Sequence, residues 1–217
     1  MKNYVITIAR GFGSGGLATG MQLSRDLGIP CYEKQILTMA AEQSGIREEN
    51  FYKVDEKLKG NYLTNMLRSI PYDGIAEPTR YGFVSDVDLF HIQSEIIKEL
   101  ARTQSCIIIG KCANIVLADF DNVVSVYVEA PRKQCLESIM KKYQVDRDKA
   151  KEMIVKTDKY RADYYRFYTG GMDWTNPTSY DLTLNSARVG REKCAELIEY
   201  YLQMKMGIKL ENKESKN

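Results

Sequence analysis

Tyr4-Val-Ile-Thr-Ile-Ala-Arg-Gly-Phe-Gly-Ser-Gly-Gly-Leu-Ala18 is an apolar run that passes into a glycine-rich loop and then into a helical pattern. A buried strand, a loop of this kind and a helix together make a phosphate cradle. Small residues let successive N–H groups close around an anion, and the helix N-terminus adds its partial positive charge. Two registers fit the loop. Gly11-x-Gly13-x-x-Gly16 matches the dinucleotide fingerprint, with Glu33 lying 22 residues beyond Gly11, where a ribose-binding acid belongs. Alternatively, Gly11 and Gly16 are the fixed glycines of GxxxxGK[ST], with Leu17 and Ala18 standing where Lys and Ser or Thr are expected. The short second strand, preceded by Pro30, weighs against the dinucleotide register, but the motif alone leaves both open. A turn serving only strand–helix packing does not need four glycines and Ser14.

Working outward, Leu17, Met21, Leu23 and Leu27 mark a first helix that Gly28 and Pro30 stop. Cys31-Tyr32 is the stub of a second strand leading to Glu33. Residues from about 34 to 86 are polar and broken by Gly60, Pro71, Gly74, Pro78 and Gly82, which reads as an insertion rather than core. Leu89, Ile92, Ile96 and Leu100 then recur at helical spacing. Cys106–Gly110 and Val123–Val128 are apolar on both faces, the signature of a parallel sheet covered on both sides. Pro131 opens a helix bearing Leu136, Ile139, Met140 and Tyr143. A second helix from about Asp146 runs into the tyrosine-rich segment Asp158 to Tyr168. Tyr180–Asn185 is the last strand, followed by a helix with Cys194, Leu197, Ile198 and Tyr201, and residues 209–217 form a charged, disordered tail. The expectation is one α/β domain over residues 1–208, with five mainly parallel strands. Its ligand site should lie at the strands' carboxyl ends, near Arg10, Glu33, Lys111, Glu129 and Asn185.

The 217 residues, 44% hydrophobic and 28% charged with a formal net charge of +2, suit a single core and call for neither nucleic acid nor an anionic membrane as partner. Five widely spaced cysteines without a CxxC pair argue against a disulfide framework or a zinc site. With no signal pattern and no apolar run approaching the ~20 residues of a membrane span, the reading is cytoplasmic. A homo-oligomer remains open.

The order of elements decides the register by resemblance. Together with Ile109-Gly-Lys-Cys112, Tyr127-Val-Glu-Ala130, Thr157-Asp-Lys-Tyr-Arg-Ala162 and Tyr180-Asp-Leu-Thr-Leu-Asn185, it resembles the cytidylate kinase-like family, P-loop relatives of the bacterial cytidylate kinases. The likeness runs from Tyr4 to about Met204. It implies a three-layer α/β/α P-loop kinase fold, with a monophosphate-binding insertion over about 34–86 and a helical lid over about 131–172. It further implies ATP and magnesium as cofactors, with CMP or a related small phosphorylated compound as acceptor. On this resemblance Arg10, Gly11, Gly13, Ser14, Gly15, Gly16 and Leu17 hold the donor phosphates. Lys111 stands where cytidylate kinases carry an Arg after the third strand, keeping the charge but losing the bidentate fork. Asp158 and Arg161 match the family's Asp-x-x-Arg that contacts the nucleoside monophosphate, and Arg132 belongs to the lid.

Each of these residues has a plainer reading. Asp158, Lys159 and Arg161 lie in a charged run that would suit a solvated helix face. Arg10 either supplies the missing cation or pairs with Glu129. Tyr164, Tyr165 and Trp174 either stack on a base or pack, and His91 has no second ligand in view. No metal ligand is assigned; Glu129 is the best-placed carboxylate, while Thr19 points elsewhere on its helix. Phosphoryl transfer needs two aligned anions with their charge neutralised rather than covalent chemistry from the protein. The missing loop Lys therefore bears on turnover more than on binding. The rivals are a non-catalytic nucleotide-binding module on the same fold and an NAD-dependent oxidoreductase.

Overall fold

Five strands form one sheet in the order β2-β3-β1-β4-β5: β1 (Val5–Arg10), β2 (Cys31–Tyr32), β3 (Cys106–Ile109), β4 (Val123–Glu129) and β5 (Leu182–Asn185). The computed structural model describes residues 3–51 and 86–209, so most of the segment read as an insertion, and all but the first residue of the tail, lie outside the described residues. Every pairing is parallel. The central strand is the one with Val5, Ile6 and Ile8 fully buried, as a strand covered on both faces must be. Because β3 lies between β1 and β2, the order differs from the dinucleotide fold, where β1 and β2 are neighbours.

One layer is α1 (Gly16–Leu27) with the C-terminal helix α8 (Arg191–Met206), packed on Ile6, Ile8, Ile107, Ile109, Val124, Val126 and Val128. The other holds α2 (Gln35–Ser44) and α3 (Asp86–Thr103), packed on Val5, Cys106, Ile108 and Val123. Ile36, Leu37 and Ala40 of α2 are buried there, so the first turns of the 34–86 segment are core, contrary to the sequence reading. Short helices α4 (Ala113–Val116) and α7 (Ser186–Val189) follow β3 and β5. Helices α5 (Arg132–Tyr143) and α6 (Arg147–Tyr168) form a hairpin with its own core of Leu136, Ile139, Ala150 and Ile154. The Asp146 side chain caps α6 by accepting from the Lys149 N–H.

Two apolar faces differ from the sequence pattern. On α1 the buried residues are Gly16, Thr19, Gly20 and Leu23, whereas Met21 is 45% exposed. The helix sits so close to the sheet that a Cβ on Gly20 would lie 2.6 Å from Ile109 Cδ1. Small residues therefore share the inner face with Leu23, while Leu17 and Leu27 pack at its edge and only Met21 of the expected stripe turns outward. On α8, Leu197 is 43% exposed while Ala195 and Leu202 turn inward beside Cys194 and Ile198. Among the described residues no helix is long and apolar enough to cross a membrane.

Candidate active site

The glycine loop leaves β1 at Arg10 and enters α1 at Gly16. Gly13 carries φ 90°, and a Cβ there would sit 2.7 Å from the Cys135 carbonyl oxygen, so both conformation and space require glycine. No side chain caps the N-terminus of α1, and its first turn holds no acidic residue, which leaves this end suited to an external anion. The two loop-proximal hydroxyls have other duties. Ser14 Oγ donates to Val128 O at 2.9 Å, and Thr19 Oγ1 donates to Gly15 O at 3.3 Å.

Helix α6 closes over this loop. The Phe12 N–H donates to Asp158 Oδ1 at 2.8 Å, and Arg132 lies 3.2 Å from the other carboxylate oxygen. Arg161 is 3.6 Å from Asp158, and its Nη1 donates to Arg10 O at 2.9 Å. The Asp158 and Arg161 side chains are only 19% and 17% exposed, so this stretch of α6 is an inward face and not the solvated one that its charges alone would suggest. Burial raises the Asp158 pKa against the lowering effect of the Phe12 N–H and the two arginines. Burial, and then repulsion from Arg10, bring the Arg161 pKa down to about 9. Asp158 thus sits at the loop's shoulder, and the cavity described below is lined by its neighbours Thr157, Tyr160 and Arg161.

Arg10 does not reach Glu129. Its guanidinium pairs with Glu33 at 2.8 Å, because strand order brings the end of β2 round to the same edge of the sheet. Burial lowers the Arg10 pKa, and Glu33 opposes that shift. The Glu129 carboxylate instead lies against Gly11, accepting from Tyr127 Oη at 2.6 Å and from Ala130 N–H at 2.9 Å.

Beyond β3, Gly110, Lys111 and Cys112 are all left-handed, with φ of 74°, 60° and 53°. Two consecutive non-glycine residues in this region hold backbone strain, which concentrates at functional sites. The turn sets Lys111 and Cys112 in the wall of a cavity of about 320 Å³ at the sheet's carboxyl edge, which Arg10, Glu33, Lys34 and Arg161 also line. Tyr164, Tyr165 and Trp174 are both packed and lining. They are nearly buried, and Trp174 meets Tyr127 edge-on at 5.6 Å. His91 is exposed on α3.

One basic residue beside the loop was not foreseen. Arg191, the first residue of α8, lies so close to Gly15 that a Cβ there would be 3.0 Å from its Nε, and its Nη2 donates to Ser138 Oγ of α5 at 3.2 Å. Its sequence neighbours, Glu192 and Lys193, make it look like an ordinary exposed helix start. Asn114 and Thr7 were likewise passed over, and both line the cavity.

The chain matches the model of the cytidylate kinase-like family over residues 5–188. No curated protein matches it. Among solved structures, an uncharacterized protein from Eubacterium ventriosum ATCC 27560 is 24% identical, with TM-score 0.67 over 93% of this chain and 99% of that one. Shikimate kinase from Bacteroides thetaiotaomicron is 10% identical, with TM-score 0.50 over 94% and 99%. TT1252 from Thermus thermophilus is 13% identical, with TM-score 0.50 over the same shares. At such identities the likeness shows the fold, that of the P-loop kinases. Taken with the family match across most of its length, it means that the chain belongs to the cytidylate kinase-like family.

Proposed function

We propose that this protein transfers the γ-phosphoryl group of ATP to CMP or a related small phosphorylated acceptor. One observation carries the reading: a cavity walled by Arg10, Lys111 and Arg161 opens beside a glycine loop whose helix N-terminus no side chain caps. Two anion sites side by side at the end of one sheet are what in-line transfer between two phosphorylated compounds requires.

In this account the backbone from Gly13 to Leu17 takes the donor phosphates, and Lys111 and Arg161 take the acceptor phosphate. Arg161 is suited to this because it is buried next to a second cation, Arg10, and an anion would relieve that repulsion. On the donor side Arg132 and Arg191 flank the loop and stand in for its missing Lys. Among the described ion pairs Arg132 is matched with Asp158, whereas none includes Arg191. Arg191 is therefore the cation that phosphate can recruit without displacing a carboxylate.

Glu129 is the carboxylate proposed to help hold magnesium. This hard oxygen donor lies against Gly11, and magnesium is commonly held by one or two carboxylates with substrate phosphates and water. Its oxygens also accept from Tyr127 Oη and the Ala130 N–H, and no cluster of three or more His, Cys, Asp or Glu gathers among the described residues, so phosphate and water would supply most of the ligands. Bound there, magnesium would neutralise charge on the transferred phosphoryl group. The second reading, a nucleotide-binding module without turnover, is favoured by the burial of Ser14 and Thr19, each 1% exposed with its hydroxyl turned to a backbone carbonyl, which keeps both away from an incoming metal. A coupled assay for ADP formation, run with magnesium over a panel of nucleoside monophosphates, separates them. Acceptor-dependent ADP supports the kinase. A thermal shift with ATP but no turnover with any acceptor supports the binder.

A further inference from the structure

Thr7 lies in the middle of β1, paired with Ile108 on one side and Ser125 on the other. It is 2% exposed and lines the cavity. Its Oγ1 is the one buried side-chain nitrogen or oxygen, among the described residues, without a hydrogen-bond partner. Leaving a desolvated donor and acceptor unmatched is costly, so native proteins seldom do so without a reason. The strand itself supplies none. Its neighbours Val5, Ile6 and Ile8 are apolar and β-branched, and valine at position 7 would fit the same pleat without the stranded hydroxyl.

The cavity supplies a reason. The charged residues that the sheet contributes, Arg10, Glu33 and Lys111, lie at the ends of β1, β2 and β3, and Arg161 of α6 is held at the same level by its bond to Arg10 O. Thr7 lies three strand positions further in, roughly 10 Å at ~3.3 Å per residue. Between them Ala9 packs with the uncharged cluster of Cys112, Tyr165 and Trp174. The cavity is thus charged at its rim and neutral at its inner end, where burying a charge would be expensive. At about 320 Å³ it lies near the lower end of the roughly 300–1,000 Å³ usual for small-molecule sites.

We propose that Thr7 is a specificity-determining contact for the acceptor. Its hydroxyl hydrogen-bonds a neutral polar group at the far end of a compact phosphomonoester whose phosphate stays at the rim with Lys111 and Arg161. This rests on the phosphoryl-acceptor reading above. The neutral group is either a pyrimidine edge or a sugar hydroxyl, and the two are separable.

The test measures binding of CMP, ribose 5-phosphate and inorganic phosphate to wild type, Thr7→Val and Thr7→Ser by calorimetry, with melting temperatures alongside. Thr7→Val should melt at or above the wild-type temperature, because it removes a buried unmatched hydroxyl. It should also bind the acceptor at least about tenfold more weakly, the order of one lost hydrogen bond. Thr7→Ser should restore most of the affinity, and inorganic phosphate should bind all three proteins alike. Loss for CMP alone identifies a base contact, and loss for both organic phosphates identifies a sugar hydroxyl. Unchanged affinity of Thr7→Val for both overturns the proposal while leaving the kinase reading intact, as does a lowered melting temperature with unchanged affinity. Wild type that binds none of the three phosphates overturns both.

Discussion

The backbone N–H of Phe12 donates to the carboxylate of Asp158 at 2.8 Å, across 146 residues of sequence. This bond ties the long helix α6 to the shoulder of the glycine loop, and the same carboxylate gathers Arg132 and Arg161 around it. The glycine loop and the cavity therefore share one fixed point, and a change at Asp158 should be felt on both sides.

Asp158→Ala should cost roughly 1.5–3 kcal/mol in urea unfolding, the range for a hydrogen bond to a charged group. It should also speed hydrogen exchange at the Phe12 amide. Unchanged protection of that amide would mean that the contact does not persist in solution.

The titration of the same group has a definite sign. Burial raises the Asp158 pKa in the folded state above its unfolded value. The folded protein therefore binds the proton more tightly, and the associated stability is present below the unfolded pKa of ~3.9. That stability is lost as pH rises through the raised folded value. Asp158→Asn keeps an oxygen acceptor for the Phe12 N–H but cannot titrate. Wild type should gain stability relative to Asp158→Asn as pH falls from neutrality toward ~4, read from paired thermal melts. A difference that is flat with pH, or that shrinks on acidification, contradicts the assignment.

Gly13 and Gly170 both have positive φ, but only Gly13 has backbone where a Cβ would go; around Gly170 nothing lies within 4 Å. Gly170→Ala should therefore lose only the conformational term, about 1–2 kcal/mol. Gly13→Ala should lose more and should bind ATP weakly, because Cys135 O must move to admit the methyl. Equal destabilisation by the two would show that the loop is not packed against α5 as described.

Arg161 and Arg191 lie on opposite sides of the proposed transfer. Arg161→Ala should raise the KM for the acceptor at least about tenfold and that for ATP much less; Arg191→Ala should do the reverse, each reading one charge-assisted hydrogen bond. Variants that raise both constants together would contradict this division of roles.

The sequence made the sheet and the loop legible for physical reasons. Val5 to Ala9 is too apolar for anything but a covered strand, and the glycines that follow have no use in a simple turn. What escaped it depends on distant packing. Asp158 and Arg161 are legible only through the family resemblance, because their charge pattern alone is that of a solvated face; what the pattern hides is the docking of α6 on the loop, which turns them inward. Arg10 was weighed against Glu129 as a partner, but Glu33 holds it, since β2 ends at the same edge. Arg191 opens a helix among other charges, and nothing local marks its approach to Gly15. Thr7 is an ordinary β-branched strand residue until the lack of a partner for its hydroxyl becomes visible in three dimensions.

Phosphorus NMR of the protein with ATP, magnesium and each candidate acceptor tests the central claim most directly, because it sees the product of transfer and not merely the loss of ATP. The account predicts that ADP appears together with a new diphosphate signal from the acceptor, with CMP giving CDP. ADP accompanied only by free inorganic phosphate, or ATP left unchanged with every acceptor in the panel, would contradict it.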